Sequence, residues 1–254
     1  MKHVAKKRFG QNFLTDQSTV NSLIAAIAPQ PDDLMVEIGP GLGALTQPLL
    51  KKLIHLHVVE LDRDIVSWMQ NNYAKNSISI HNVDALKFDF AALGSQLRVV
   101  GNLPYNISTP ILFHLLDSVS HITDMHFMLQ KEVVERMVAA PSTAAYGRLS
   151  VMLQYHLQME YLFTVPPEAF EPAPKVESAF VRAVPHGSLP HPAKDHQLLA
   201  KVVATAFGQR RKTLRNTLKG LLSDEGFTQL SIDPQLRAEN LSLAEFVNIA
   251  NHLA

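Results

Sequence analysis

The apolar residues change their period along the chain. Val20, Leu23, Ile24 and Ile27 recur at i, i+3, i+4 and i+7, the spacing of an amphipathic helix that Pro29 and Pro31 bring to an end. Short apolar runs then take over at residues 34–38, 56–61, 78–83, 97–101 and 123–129. Runs of that length read as strands, and helical stretches at 44–53, 62–73 and 108–116 separate most of them. Further helices are predicted at 130–139 and 147–158, and two more strands at 161–165 and 178–184. The alternation from about residue 16 to 184 predicts an α/β, Rossmann-like domain with a mostly parallel seven-stranded sheet. Residues 166–175, between the last two strands, contain four prolines and form a loop, because proline removes backbone donors and restricts the residue before it.

At 185–192 the composition shifts to Pro, Gly and His, and beyond it the pattern is only helical. Val203, Phe207, Leu214, Leu218 and Leu221 line one face of a helix, with shorter helices near 226–231 and 242–252. Two domains follow: 1–184, carrying the sheet, and 185–254, small and all-α. The chain has 254 residues, 23 basic against 23 acidic, 12 His and no Cys, which excludes disulfides and thiolate zinc sites. The histidines (His55 and His57 on one strand face, His186, His191 and His196 around the linker) lack a regular ligand spacing, so no metal is expected. No run of 18 apolar residues occurs, and the basic start leads into polar Gln11 and Asn12; a cytoplasmic protein with no membrane partner is expected.

Candidate chemistry begins where the first strand of the sheet turns. Gly39-Pro40-Gly41-Leu42-Gly43-Ala44 satisfies the dinucleotide pattern G-x-G-x-x-G/A, and glycines there let a ligand approach the backbone. Pro40, however, removes an N–H that a diphosphate would use, and Glu37 adds negative charge beside it. A cationic cofactor without phosphates, S-adenosylmethionine, fits better. Glu60 stands 21 residues after Gly39, where an acid commonly takes ribose hydroxyls, and Asp84 ends the third strand, where a carboxylate can accept from an adenine amino group. Each acid alone could equally be a helix cap or a solvated carboxylate. Three successive strand ends carry them, and ligands of open α/β sheets bind at that edge.

The most specific feature is Asn102-Leu103-Pro104-Tyr105, directly after the fourth strand. An adenine N6 amine is a poor nucleophile, its lone pair delocalised into the ring. The Asn102 side-chain oxygen and the Leu103 carbonyl can accept its two N–H bonds, Pro104 fixes the backbone and Tyr105 offers a stacking face. Asn is neutral and no general base, so rate must come from positioning.

With these residues in view, the chain resembles the bacterial small-subunit (16S) ribosomal RNA adenine N6,N6-dimethyltransferases. The resemblance rests on Arg8-Phe9-Gly10-Gln11-Asn12-Phe13-Leu14, Glu37-Ile38-Gly39-Pro40-Gly41-Leu42-Gly43, Val59-Glu60-Leu61-Asp62, Asn102-Leu103-Pro104-Tyr105-Asn106-Ile107-Ser108, Tyr146-Gly147-Arg148-Leu149-Ser150 and Phe170-Glu171-Pro172-Ala173-Pro174-Lys175-Val176, in order over nearly the whole chain. It implies a class I methyltransferase fold and cofactor contacts from Asn12 and Leu14 besides Gly39, Gly41, Glu60, Asp84 and Asn102. It also implies transfer of four methyl groups to two adjacent adenosines in a hairpin loop near the 3′ end of small-subunit RNA, coupled to late subunit assembly. The expected partners are that RNA and the immature small subunit, and the chain is expected to be a monomer. Phe170, on the proline-rich loop, could be a buried aromatic pinning the loop or an exposed one stacking the target base opposite Tyr105; the resemblance favours stacking and so a place among the catalytic residues.

Zero net charge is a cancellation, since residues 1–184 hold 15 basic and 17 acidic side chains and residues 185–254 hold 8 and 6. No acid occurs between Asp195 and Asp224, an interval that holds Arg210, Arg211, Lys212 and Arg215. These, with Lys6, Lys7 and Arg8 of an N-terminal arm and Arg148, are the expected RNA-binding residues. Two other readings stay open: N6-adenine methylation of other RNA or DNA, and a non-catalytic subunit-assembly factor.

Overall fold

A computed structural model describes residues 11–254. The Lys6, Lys7 and Arg8 cluster therefore lies outside the described residues. In chain order the elements are β1 (Phe13–Leu14), α1 (Gln17–Ile27), β2 (Met35–Ile38), α2 (Thr46–Leu50), β3 (Leu56–Val59), α3 (Arg63–Asn72), β4 (Ile78–His81), β5 (Leu97–Asn102), α4 (Ser108–Leu116), β6 (Ile122–Gln130), α5 (Lys131–Val138), α6 (Arg148–His156), β7 (Leu157–Val165), β8 (Phe170–Glu171), β9 (Ser178–Pro185), α7 (His196–Ala206), α8 (Leu214–Thr217), α9 (Asp224–Gln229) and α10 (Leu243–Leu253).

Seven strands form one sheet in the order β4-β3-β2-β5-β6-β9-β7, parallel from β4 to β6, with β9 antiparallel to β6. The apolar runs are short and nearly continuous because these strands are covered on both faces: all four residues of β2 are buried, as are Val99, Val100 and Gly101 of β5. After β2 the chain winds outward through β3 and β4, then returns to the other side of β2 as β5. The strand order reverses between β2 and β5, and the C-terminal ends of strands at such a switch point leave a crevice that helices do not fill. Gly101 pairs with Ile38 across that point, so Gly39 and Asn102 emerge side by side.

The helices follow from their caps and spacing. Asp16 caps α1, accepting from the Thr19 backbone N–H at 2.7 Å and from the Ser18 and Thr19 hydroxyls, donors that hold its carboxyl down at about 2. Val20, Leu23 and Ile27 of α1 are buried against the sheet with Met35, Val100 and Met128. The helix closes at Ala28 in the left-handed region, one residue before the expected proline stop.

Contacts divide the chain into two units, one running through Val134 and resuming at Glu160–Pro185, the other comprising Glu135–Met159 and His186–Ala254. The expected division at 184/185 differs from this in one segment, because residues 135–159 group with the C-terminal helices. Tyr146, Val151 and Tyr155 share a core with Leu199, Val202, Leu218, Phe246 and Ile249. A second correction concerns the apolar face from Phe207 to Leu221. It is not one helix: α7 ends at Ala206, a tight turn covers 207–209, and α8 restarts at Leu214. The Leu214 and Arg215 N–H groups donate outward, to the carbonyls of Leu236 and Pro234. Among the described residues no helix is long and apolar enough to cross a membrane.

Candidate active site

The crevice at the switch point is a cavity of about 560 Å³. Asn12, Leu14, Gly39, Gly41, Glu60, Asp84 and Asn102, the seven residues expected to contact a cofactor, all line it, as do Leu103, Pro104 and Tyr105. Each arrives there for a local reason. Gly41 adopts φ +54°, and a Cβ on it would lie 3.1 Å from the Phe13 ring; only glycine turns the chain there without displacing β1. The Glu60 carboxylate is 8% exposed and accepts the Asp62 backbone N–H at 2.7 Å, while burial pushes its pKa up. Asp84 caps the turn at 85–87 through Oδ1, accepting the Leu86 N–H at 3.0 Å. Asp62 is likewise a cap, at the start of α3.

The turn is badly suited to a diphosphate. Gly39 N–H donates to Val59 O, Gly43 N–H donates to Pro40 O, Gly41 N–H is engaged by the Glu60 carboxylate and Pro40 has no donor. The helix begins only at Thr46, so its N-terminus is not presented by the glycines as in dinucleotide sites. Glu37, just beneath, is a 2% exposed carboxyl that accepts a hydrogen bond from the Thr46 hydroxyl at 2.6 Å. Acids below offer acceptors and negative charge to a cationic adenosyl compound, and exposed apolar Leu42 and Leu61 at the rim offer apolar surface for its ring. Neither leucine was a sequence candidate, because apolar exposure is invisible until the neighbours are placed. Lys51, also unforeseen, lines the same cavity.

The tetrad is held on every side. Leu103 N–H donates to Met128 O, Ile107 N–H to Pro104 O, and the Ser108 hydroxyl to Tyr105 O at 2.9 Å. The Tyr105 hydroxyl bonds Ser178 Oγ at 2.7 Å, and burial raises its pKa. Asn102 Nδ2 donates to the Asn12 carbonyl at 3.2 Å. Because Asn12 O can only accept, the amide must present its nitrogen there, which leaves Oδ1 as the acceptor.

Phe170 requires a correction. It is 5% exposed, pairs in β8 with Leu14 of β1, and packs in the core with Leu14, Val165 and Ala169. The loop's aromatic is its anchor, not an exposed face opposite Tyr105, because burying a phenyl ring against β1 removes it from water. The basic residues of the second unit are exposed, with Arg210 donating to Ala144 O at 2.9 Å and Arg215 paired with Asp224 at 3.0 Å. Arg148 opens α6 and is exposed.

A sheet with a cavity at its switch point, acids at successive strand ends and an Asn-Leu-Pro-Tyr tip at β5 define the class as a Rossmann-like methyltransferase. Comparison with known proteins gives the particular family. The ribosomal RNA adenine dimethylase family matches residues 2–254, and the chain belongs to it. The ribosomal RNA small subunit methyltransferase A of Methylobacillus flagellatus is 76% identical over 254 residues, covering all of both chains. In fold the chain is similar to a dimethyladenosine transferase from Plasmodium falciparum (TM-score 0.76, 21% identity, 93% of this chain and 95% of that one). It is also similar to the 23S rRNA methyltransferase ErmE (TM-score 0.74, 21% identity, 95% and 99%). The protein is thus a ribosomal RNA adenine dimethyltransferase, and its methyl donor is S-adenosylmethionine.

Proposed function

We propose that this enzyme dimethylates N6 of two adjacent adenosines in a 3′-terminal hairpin loop of small-subunit ribosomal RNA, acting in the cytoplasm as a monomer on a late assembly particle. The observation that carries the placement of the reaction is the Asn102–Asn12 hydrogen bond, which fixes an acceptor oxygen at the rim of the cavity. The small-subunit name of the 76% identical relative supports the choice of RNA.

In this reading Gly39, Gly41, Asn12 and Leu14 form the wall that seats the cofactor, Glu60 takes ribose hydroxyls and Asp84 the adenine amine. Bound there, S-adenosylmethionine would supply an electrophilic methyl group: the N6 lone pair would form the new N–C bond as the carbon–sulfur bond breaks, and the cationic amine would then lose its extra proton to solvent. Asn102 Oδ1 and the Leu103 carbonyl accept from N6 and turn its lone pair toward the methyl; Pro104 holds their spacing, and Tyr105, pinned through Ser178, gives the base a face to lie on. No group in the tetrad is a base at neutral pH. Positioning must supply the rate, on the order of 7 kcal/mol for a well-oriented bimolecular step. The second unit's Arg148, Arg210, Arg211, Lys212 and Arg215, with Lys6, Lys7 and Arg8, would hold the RNA by its phosphates.

The test is transfer of a radiolabelled methyl group to unmethylated small subunits, naked ribosomal RNA and DNA. Label recovered as dimethyladenosine from the subunits, at two adjacent positions, is the expected result. Asn102→Ala should reduce transfer at least about 100-fold at saturating S-adenosylmethionine, a loss well beyond any fall in cofactor affinity. Subunit binding without label in the unaltered protein would reduce it to an assembly factor.

A further inference from the structure

Glu37 is the most deeply placed acid of the cavity. Val58 of β3 and Val100 of β5 flank it in register, and among the described residues its side-chain hydrogen-bond donor is the Thr46 hydroxyl of α2. Glu60 faces it from the end of β3, and Tyr73 from the end of α3. No cation pairs with it among the described residues. A buried carboxyl with one hydroxyl donor and a second acid nearby is poorly stabilised as an anion. Burial, reinforced by Glu60 and opposed by the Thr46 hydrogen bond, raises it to about 7; Tyr73, buried and facing Glu37, is pushed up to about 12 and stays neutral.

We infer that Glu37 is a proton-linked charge sensor with which the cavity tells the cationic methyl donor from its neutral product. The inference rests on the donor occupying this cavity. S-adenosylmethionine carries a sulfonium that S-adenosylhomocysteine lacks. Binding of the donor ionises Glu37 and releases its proton to solvent; binding of the product leaves the proton in place. The carboxyl and its ligand then carry the same summed charge in both complexes, and the buried site never holds an uncompensated ion. Thr46 is the positioning residue, since its hydroxyl donates to the anion and so sets the pH at which the exchange occurs.

Titration calorimetry of the full chain with each ligand, in two buffers of different ionisation enthalpy, reads the proton balance directly. Near neutral pH the donor should release a substantial fraction of a proton and the product none. The preference for donor over product should fall about tenfold between about pH 8 and about pH 6. In Glu37→Gln both the differential release and the pH dependence of the preference should vanish while the product still binds. The ligands' own amino groups titrate alike in both proteins, so the difference between them belongs to Glu37. Thr46→Val, which removes the donor but not the volume, should move the centre of proton release to higher pH. Equal release for the two ligands, a Glu37→Gln protein that keeps the normal difference, or an unmoved centre in Thr46→Val would overturn the inference. Gly41→Val separates this from the site itself: it should lose both ligands, and tight binding of both would remove the cavity as the cofactor site whatever the proton balance.

Discussion

Gly101 sits where two backbones meet. A methyl group there would lie 2.7 Å from the Ile38 carbonyl oxygen and 3.0 Å from the Leu103 side chain, so β5 could not keep its register against β2. Gly101→Ala is expected to cost about 1–3 kcal/mol in urea unfolding, as overpacking of a core does, and to displace Asn102 with the strand. His126, in β6, behaves oppositely. It is 1% exposed, neither ring nitrogen has a hydrogen-bond partner among the described residues, and Asp124 Oδ1 is 3.8 Å away. Burial holds its pKa down at about 4, with Arg98 and Arg182 adding and Asp124 opposing. A base whose folded pKa lies below its unfolded value gives stability that is complete above about pH 6.5 and is lost as pH falls toward about 4. His126→Leu should therefore be neutral or stabilising at pH 7. It should gain on the parent as the medium is acidified, by on the order of 3 kcal/mol over that range. A parallel fall of both proteins in acid would show that other groups carry the transition.

The C-terminal basic segment shows what a short element does to a charge cluster. Arg210 is tied to Ala144 O and Arg215 to Asp224, whereas the side chains of exposed Arg211 and Lys212, in the turn before α8, have no hydrogen-bond or ion-pair partner among the described residues. Two free cations release more counterions than two paired ones. Arg211→Ala with Lys212→Ala should lower the salt slope of RNA binding by about 2, and Arg215→Ala by less. Asp224→Ala should steepen it by freeing Arg215; an unchanged slope in all three would remove this turn from the RNA interface. The break before α8 was not legible in the sequence, because 207, 214, 218 and 221 keep a helical spacing across it. What ends the helix is distant, at the Leu236 and Pro234 carbonyls. For the same reason β1 and β8, two residues each and paired across more than 150 positions of chain, give no periodic signal, so the residues left Phe170 open between burial and stacking and only the resemblance favoured stacking. The sheet was legible because double burial writes itself as apolar runs, and the tetrad because it stands directly after such a run with acids at the neighbouring strand ends.

At the scale of the whole molecule, the division between units falls where composition cannot place it. Pro185 ends β9 and the Pro-His-rich stretch follows, so the linker was readable. The return of residues 135–159 to the C-terminal helices was not, because their apolar residues are indistinguishable in type from those of the sheet domain. The consequence is physical: Tyr146, at 1% exposure, and Tyr155 and Val151 are buried within a core completed by α7 and α10. The Tyr155 hydroxyl also accepts the Ala193 N–H at 3.1 Å, and His186 bonds Gln154 O at 3.0 Å. A chain ending at Pro185 would keep every strand but expose those side chains, each worth roughly 1.5–3 kcal/mol of lost burial. It should aggregate or bind a hydrophobic dye. A chain that instead breaks off before Glu135 would lose β7 and β9, and with β9 the Ser178 that anchors Tyr105. The two units are interleaved in sequence, so neither can be removed by one cut without opening the other's core. A soluble, dye-silent 1–185 chain that binds S-adenosylmethionine as the full chain does would show that residues 135–159 find an alternative cover and that the shared core is dispensable.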